Sequence, residues 1–294
     1  MNKLFQRANN VLKVLKYYLS GLYHRIEEHN LFLSGAGIAY SLLLSMIPLI
    51  LLIFSLLGNV FDTARLERII NQIIQLLLPY KQYADYAKDV ISRRLPQVIE
   101  YKTLAGYLGL IGLIVTSTWI FSSLRTILNQ IFHTKIEKHA LIGFLRDIGM
   151  VILVVVFISL STLVFPILNI IVENAQNSNV ISYVEIAKVW NIAVWIISLI
   201  VMLFLFFLLY YLIPYEQLPK RVALASALST TVLWELARSL FGYYIRNFLN
   251  TNPFYGAFVL FVVILLWIFY SSCIFIAGAE IGQLYRERMN EKTS

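Results

Sequence analysis

Charged residues are scarce in this sequence. Asp, Glu, Lys and Arg make up 14% of the 294 residues, and hydrophobic residues reach 59%. Typical soluble domains have about 25% charged and about 45–50% apolar residues. A soluble domain of this size would cover its surface with more charge than this chain carries, so an ordinary soluble protein is excluded and a membrane protein is predicted.

Residues for catalysis or metal binding are also few. The single cysteine, Cys273, lies in an apolar run, which excludes a disulfide framework and a thiolate metal site. The segment HRIEEH places His24 and His29 five residues apart, and this spacing turns the two rings about 140° away from each other on a helix. Phosphate-binding loops and nucleophile elbows are absent as well. We therefore expect no metal, no cofactor and no enzymatic activity.

Long uncharged or nearly uncharged runs dominate the chain. A helix needs about 20 apolar residues to cross the hydrocarbon core of a bilayer. The sequence predicts an all-α, polytopic protein, a single membrane domain over residues 1–294. Its six transmembrane helices are expected at about residues 31–57, 104–124, 148–172, 189–213, 222–245 and 254–281.

The distribution of lysine and arginine predicts the orientation. Basic residues are concentrated before the first run, between the second and third, between the fourth and fifth, and in the tail 282–294. Short cytoplasmic loops carry such an excess. We therefore expect both termini in the cytoplasm, and we attribute the net charge of +8 to these loops rather than to nucleic-acid binding.

Two further segments have the pattern of amphipathic helices. Residues 1–30 combine an apolar stripe with lysines, which predicts a cytoplasmic interfacial helix. The outer loop 58–103 carries two apolar stripes, the first ended by Pro79 and the second by Pro96. The outer helical loop is either a hairpin packed on the mouth of the bundle or a lid over a cavity.

Small residues recur at helical spacing in three of the runs. Such residues let membrane helices approach closely, so we expect helix contacts there. Pro48 and Pro166 are expected to kink their helices. The small residues are Ser34, Gly35, Ala36, Gly37, Ala39, Ser41 and Ser45 in the first run, Ala105, Gly109, Gly112 and Thr116 in the second, and Cys273, Ala277 and Gly278 in the sixth.

Charged residues inside the runs are the strongest indication of function. Glu235 and Arg238 lie three residues apart on one helix face, near the middle of the fifth run. A charge at the bilayer centre costs about 2.5–3.5 kcal/mol on insertion scales, so both should face the bundle interior and be paired. The pair either fixes helix register or lines a transport path. Glu280, near the end of the sixth run, either belongs to the same polar site or reaches the membrane interface.

Three stretches together resemble the YihY/BrkB family of bacterial inner-membrane proteins: GIAYSLLLSMIP at 37–48, LIPYEQLPKR at 212–221 with WELARSLFGYY at 234–244, and FYGAFVLFVVILLWIFYSSCIFIAGAEI at 254–281. The resemblance covers about residues 20–285 and implies six helices with cytoplasmic ends in the inner membrane. Some members have carried a ribonuclease BN label, but no carboxylate cluster or aromatic-basic surface here supports RNA hydrolysis. The resemblance marks Ala39, Tyr40, Ser45, Pro48, Pro214, Trp234, Glu235, Tyr255, Gly256, Trp267, Gly278, Ala279 and Glu280.

These observations predict a carrier of an envelope solute or lipid, similar to a transporter or flippase. The alternative is a non-transporting scaffold or envelope-integrity protein whose internal charges are structural; a membrane nuclease or other enzyme is disfavoured. The expected partners are the lipid bilayer and a lipid or small-solute substrate, without nucleic acid, and the oligomeric state stays open. The candidate polar site consists of Glu235, Arg238, Glu280, Tyr40, Ser41, Ser45 and Pro48.

Overall fold

A computed structural model describes residues 2–60, 100–134, 143–154, 156–157, 183–248 and 256–291. All regular secondary structure within these ranges is helical, as the sequence predicts. We number the helices α1 (Asn2–Glu28), α2 (Leu31–Val60), α3 (Lys102–Ile131), α4 (143–154), α5 (Tyr183–Leu212), α6 (Lys220–Phe248) and α7 (Gly256–Glu291).

Four of the described helices are long and apolar enough to cross a membrane. These candidate spans are Leu31–Leu52, Lys102–Ile131, Ala193–Leu212 and Phe261–Glu291. The predicted third span, 148–172, lies mostly outside the described residues. The predicted fifth span corresponds to α6, which is long enough but less apolar in composition. The membrane class is thus supported by four helices, and the number of six spans stays a prediction.

The predicted amphipathic segments have different outcomes. Residues 2–28 form α1, so the helical pattern of the N-terminal segment is confirmed, while its position at the membrane interface stays a prediction. Most of the predicted outer loop, 61–99, lies outside the described residues, as does Pro166. Helix α2 continues through Pro48, at the centre of a 30-residue helix.

The chain divides into two compact units. The first comprises Met1–Ala36, Phe121–Arg238 and Ser271–Ser294. At its centre the C-terminal half of α7 packs against α5, where the rings of Tyr210 and Phe275 stack at 4.6 Å between centroids. The hydroxyl of Tyr210 donates to the carbonyl of Phe275 at 2.6 Å, which satisfies a buried polar group beside the stacked rings.

Helices α6 and α7 approach closely in the first unit through glycine. A Cβ placed on Gly278 would lie 1.8 Å from the hydroxyl oxygen of Thr230, and one on Gly282 would lie 1.8 Å from that of Ser226. The contacts run in opposite chain directions, so α6 and α7 are antiparallel here. Gly35 of α2 likewise leaves room for the Sγ of Cys273. The predicted helix contacts of Gly35, Cys273 and Gly278 are confirmed.

The second unit comprises Gly37–Ile120 and Ser239–Tyr270. Here α2 and α3 pack backbone against backbone. A Cβ on Gly109 would lie 2.7 Å from the amide nitrogen of Leu52, and one on Gly112 would lie 2.9 Å from the Cβ of Pro48. The predicted small-residue face of α3 is therefore a helix contact at these two glycines, and Pro48 lies within it.

Candidate functional site

A fully buried carboxylate lies where α1 meets α7. The side chain of Glu280 is 0% exposed, and both of its oxygens have partners. Oε2 accepts from Nη1 of Arg25 at 3.2 Å, and Oε1 lies 2.6 Å from Nδ1 of His29. Glu280 is therefore an enclosed and paired charge, and its position relative to the membrane interface stays a prediction. It joins the end of α1 to α7, and the ring of His133 lies 6.3 Å from that of His29.

Arg25 connects this carboxylate to a second one. Its Nη2 donates at 2.6 Å to Glu287, one helical turn beyond Gln283, whose amide also donates to Glu287 at 3.1 Å. Burial lowers the pKa of Arg25, but the hydrogen bonds to Glu287 and Glu280 outweigh burial and raise it overall. The guanidinium thus stays charged between two carboxylates.

A second polar cluster fixes the loop 213–219 between α5 and α6. Arg125 of α3 is buried and binds both carboxylate oxygens of Asp147 on α4, and its Nη1 donates to the carbonyl of Gly143 at 3.2 Å. Its guanidinium also lies 5.0 Å from the ring centroid of Tyr215, a cation–π distance. One arginine thereby holds α3, α4 and the loop together.

Arg146 completes the second cluster from α4. Its Nη2 donates to the carbonyls of Leu212 and Pro214, at the end of α5, where helical carbonyls lose their partners. Burial and the nearby charge of Arg125 lower the pKa of Arg146, and burial raises the pKa of Asp147 against the opposing effect of Arg125. Arg125 and Arg146 thus bind backbone carbonyls around the loop 213–219, so their role is structural.

Glu235 and Arg238 form the ion pair that their spacing predicts. Nη2 of Arg238 lies 2.6 Å from Oε1 of Glu235, and the indole N–H of Trp195 on α5 donates to the same oxygen at 3.4 Å. The side chains are 53% exposed for Arg238 and 23% for Glu235. This pair is thus far more open than the cluster around Glu280. The pairing is as expected, but Arg238 is not enclosed in a packed interior.

Arg238 lies on a face of α6 that is otherwise packed against the protein. Ala227, Thr231, Trp234 and Arg238 follow the four-three-four spacing of one helix face. Ala227 and Thr231 are 0% and 7% exposed, and the ring of Trp234 packs 5.9 Å from Phe206 on α5. The face is therefore packed along its first turns and opens at Arg238.

Glu280 and the Glu235–Arg238 pair belong to different levels of the first unit. Gly278 lies level with Thr230 and Gly282 with Ser226, so Glu280 lies level with residue 228 of α6. Seven residues separate that level from Glu235, about 10 Å along the axis. Glu280 is bonded to α1, and Glu235 is bonded within α6 and to α5.

The candidate residues of α2 lie in the second unit. Tyr40 is 67% exposed. The hydroxyls of Ser41 and Ser45 donate to backbone carbonyls of their own helix, those of Gly37 at 3.0 Å and Leu42 at 2.6 Å, as is common for serine in apolar helices. The grouping of Tyr40, Ser41, Ser45 and Pro48 with Glu235, Arg238 and Glu280 into one site stays a prediction.

Sequence reasoning missed several residues of the two buried clusters. The sequence places Arg25 among the basic residues before the first run and Arg125 and Arg146 among those between the second and third runs, and it gives His29 only as part of the segment HRIEEH. Their partners lie up to 262 positions away in the chain, so no local periodicity identifies them. Within the described ranges, no group of three or more His, Cys, Asp or Glu side chains is arranged to hold a metal ion.

Comparison with known proteins places the chain among membrane proteins. The family model for "Virulence factor BrkB" matches residues 22–294. A UPF0761 membrane protein of Acinetobacter baylyi is 26% identical over 285 residues, which cover 93% of this chain but 64% of that protein. The chain thus spans less than two thirds of that relative.

Other relatives match over more of their own length. A UPF0761 membrane protein of Psychromonas ingrahamii is 23% identical over 286 residues, 96% of this chain and 91% of the relative. One from Yersinia pestis is 28% identical over 211 residues, 70% of this chain and 69% of the relative. No solved structure matches the chain.

Proposed function

The chain belongs to the virulence factor BrkB family, and we propose that it is a carrier of an envelope solute or lipid in the bacterial inner membrane. The Glu235–Arg238 pair lines the path of the substrate, and both chain ends lie in the cytoplasm. The proposal includes no catalytic step, no cofactor and no nucleic acid. One observation carries it: the half-exposed side chain of Arg238, on the face of α6 that is packed at Ala227 and Thr231.

The exposure of Arg238 is costly unless water or a polar substrate reaches it. If α6 crosses the membrane, Arg238 lies ten residues, about 15 Å, from its Phe248 end. A charged side chain in hydrocarbon at such depth costs several kcal/mol, and charged residues in membrane helices usually face water-filled cavities or pathways. The half-exposed side chain of Arg238 follows packed residues on the same helix face, as expected for a charge beside a water-filled pathway. This position supports a polar passage.

The chemistry of the pair fits a substrate with a polar or charged group. The carboxylate of Glu235 accepts hydrogen bonds from Arg238 and Trp195. A phosphate, carboxylate or ammonium group of a solute can replace one partner of the pair while the other stays charge-compensated. Such an exchange allows binding without leaving a bare charge in the membrane.

The scaffold alternative is favoured by a different observation. Glu280 and the pair of Arg125 with Asp147 are buried, and both oxygens of each carboxylate have partners. Ion pairs of this kind fix helix packing rather than bind solutes. If Glu235 and Arg238 have the same task, the chain is a membrane scaffold whose internal charges are all structural.

Paired measurements of stability and function separate the two possibilities. We expect Glu235→Gln and Arg238→Gln each to keep the wild-type melting temperature in detergent and to fail to complement a deletion strain, because an open pair adds little stability. In a scaffold each single variant lowers the folded yield and the double variant recovers part of it. Glu216→Gln, which removes an exposed partner of Arg286 at 3.6 Å, is the control and should be normal in both assays.

Chemical accessibility tests the passage directly. Arg238→Cys in membrane vesicles should react with a membrane-impermeant maleimide, whereas Leu236→Cys, at an exposed apolar position, should not. The native Cys273 is buried and provides an internal background. An unreactive Arg238→Cys together with normal complementation by both glutamine variants would exclude this pair from any transport path.

A further inference from the structure

An open groove lies at the turn between α1 and α2. It has a volume of about 490 Å³, within the range of small-molecule sites of about 300–1,000 Å³. Its walls come from the end of α1 and the first turn of α2: Tyr23, Ile26, Glu27, Asn30, Leu31, Phe32 and Leu33. Leu31 is 4% exposed, Ile26 is half-buried, and Tyr23, Phe32 and Leu33 are exposed.

The groove is built into the fold rather than formed by loose side chains. Asn30 adopts a left-handed conformation, with φ of 46°, that ends α1 and starts the turn. Its neighbour His29 is held by Glu280 at 2.6 Å, and the amide of Ser34 donates to the carbonyl of Asn30 at 2.9 Å. The end of α1 and the first turn of α2, which form the two sides of the groove, are thus each held by a hydrogen bond within the protein.

Three apolar residues of the groove wall are exposed. Tyr23, Phe32 and Leu33 are 69%, 58% and 74% exposed. Phe32 and Leu33 belong to the first turn of a candidate membrane span, Leu31–Leu52, so they lie where a bilayer begins. Aromatic rings and aliphatic chains at this level contact the glycerol and upper acyl region of lipids.

A basic stripe on α1 leads to the groove. Lys16, Leu19 and Tyr23 follow one helix face, and Lys13 precedes them by one turn. Lys13 and Lys16 are both exposed, and Leu19 is 60% exposed. Lys16 lies seven residues before Tyr23, about 10 Å along the axis. Glu27 lies four residues after Tyr23, at the end of this face that is away from the lysines. The positive end of the surface is therefore at Lys13 and Lys16.

We propose that this groove binds an anionic phospholipid of the adjoining leaflet. The phosphate lies toward Lys16 and Lys13, and the acyl chains lie over Tyr23, Phe32 and Leu33. The order of charge and apolar surface along α1 matches the order of headgroup and chain in a lipid at the membrane surface. The groove shares no residue with the Glu235–Arg238 pair and is a binding site beyond the proposed passage.

Lipid retention by the purified full-length protein tests the proposal. In native mass spectrometry, phosphatidylglycerol should stay bound in preference to phosphatidylcholine, and soluble glycerol phosphate should not bind. Lys16→Gln should reduce the preference for phosphatidylglycerol about fivefold, because one lysine near an anionic surface contributes about 1 kcal/mol. Leu33→Ala should reduce retention of both lipids, since it removes the apolar wall.

A matched variant separates the groove from general bilayer contact. Leu236→Ala removes an exposed leucine, 57% exposed, from α6 and should retain both lipids as the wild type does. Equal lipid retention by Lys16→Gln, Leu33→Ala and the wild type would overturn the proposal. So would binding of glycerol phosphate alone, or a dimer that Leu33→Ala dissociates, because the groove would then hold a free anion or a second copy of the chain.

Discussion

At the scale of single residues, burial separates two kinds of charge in this protein. Glu280 is completely enclosed and touches a guanidinium and an imidazole, whereas Arg238 keeps half of its side chain open. Enclosed pairs are expensive to break because the remaining charge has neither water nor a partner. Open pairs contribute little to stability because their charges can be solvated. Burial therefore predicts which substitution affects folding and which affects function.

Glu280→Ala should lower the stability of the folded protein by about 3–5 kcal/mol, because Arg25 and His29 then lose a carboxylate inside the fold. The measurement is thermal unfolding in detergent, followed together with the yield of monodisperse protein. Glu216→Ala removes a carboxylate that is 42% exposed and lies 3.6 Å from Arg286, and it should cost less than about 1 kcal/mol. Equal losses in the two variants would contradict the structural role of Glu280.

At the scale of helices, close approach depends on glycines that face backbone. Gly109 is the clearest position, because an added Cβ would meet the amide nitrogen of Leu52 and the carbonyl oxygen of Pro48, 2.9 Å away. Backbone atoms in the middle of α2 cannot move aside as a side chain can. Gly37 and Gly149, in contrast, have open space where a Cβ would lie.

Gly109→Ala should destabilise the protein by about 1–3 kcal/mol, the usual cost of overpacking. Gly37→Ala and Gly149→Ala should leave the melting temperature unchanged or raise it, since alanine favours a helix over glycine by up to about 1 kcal/mol. All three variants add one methyl group to a helix. A destabilised Gly37→Ala beside an unaffected Gly109→Ala would refute the packing of α2 on α3.

Helix α6 exposes a row of apolar residues, although its average composition is less apolar than that of the four candidate spans. Its outward face repeats every fourth residue with Leu224, Leu228, Val232, Leu236 and Leu240, all 44–70% exposed. Its inward face carries Ser226 and Thr230, both 0% exposed against the glycines of α7. The hydroxyls lower the average hydropathy while facing protein. We therefore keep α6 as a predicted fifth span.

Spin labels on α6 test this prediction. Labels at Leu228, Val232 and Leu236 should be more accessible to dissolved oxygen than to a water-soluble nickel complex, because apolar residues that face outward from a span contact hydrocarbon. A label at Glu216, in the loop between α5 and α6, should have the opposite preference. If the nickel complex reaches all three apolar positions, α6 lies in water and the fifth span is wrong.

At the scale of the whole molecule, the orientation in the membrane is predicted from the basic residues of the loops. The basic residues near α1, the loop between α5 and α6, and the tail after α7 are predicted to lie on the cytoplasmic side. Arg25 joins the end of α1 to Glu280 and Glu287 of α7, so these two segments lie together in the first unit. The number of spans between them, and the side of the membrane on which they lie, stay predictions.

Reporter fusions measure the orientation. A fluorescent protein fused after Ser294 should be fluorescent and a phosphatase there inactive, whereas a phosphatase inserted at Tyr83, in the predicted outer loop, should be active. The physical reason is that positively charged loops are retained in the cytoplasm during insertion. An active phosphatase at Ser294 would reverse or invalidate the predicted topology.

The sequence by itself determined the membrane class, the helical fold, the helix-contact role of Gly35, Gly109 and Gly278, and the pairing of Glu235 with Arg238. These features depend on local composition and on spacings of three or four residues, which a helix converts directly into contacts. A run of apolar residues can satisfy its backbone in a membrane only as a helix or a closed barrel.

The tertiary structure alone decided which distant groups meet. Arg25 and His29 bind Glu280 across more than 250 residues, and Arg125 finds Asp147 and Tyr215 from two other segments. The tertiary structure also decided that Glu280 is enclosed while Arg238 stays open. Such contacts depend on how helices cross and at what level their glycines meet, and no pattern within one helix contains that information.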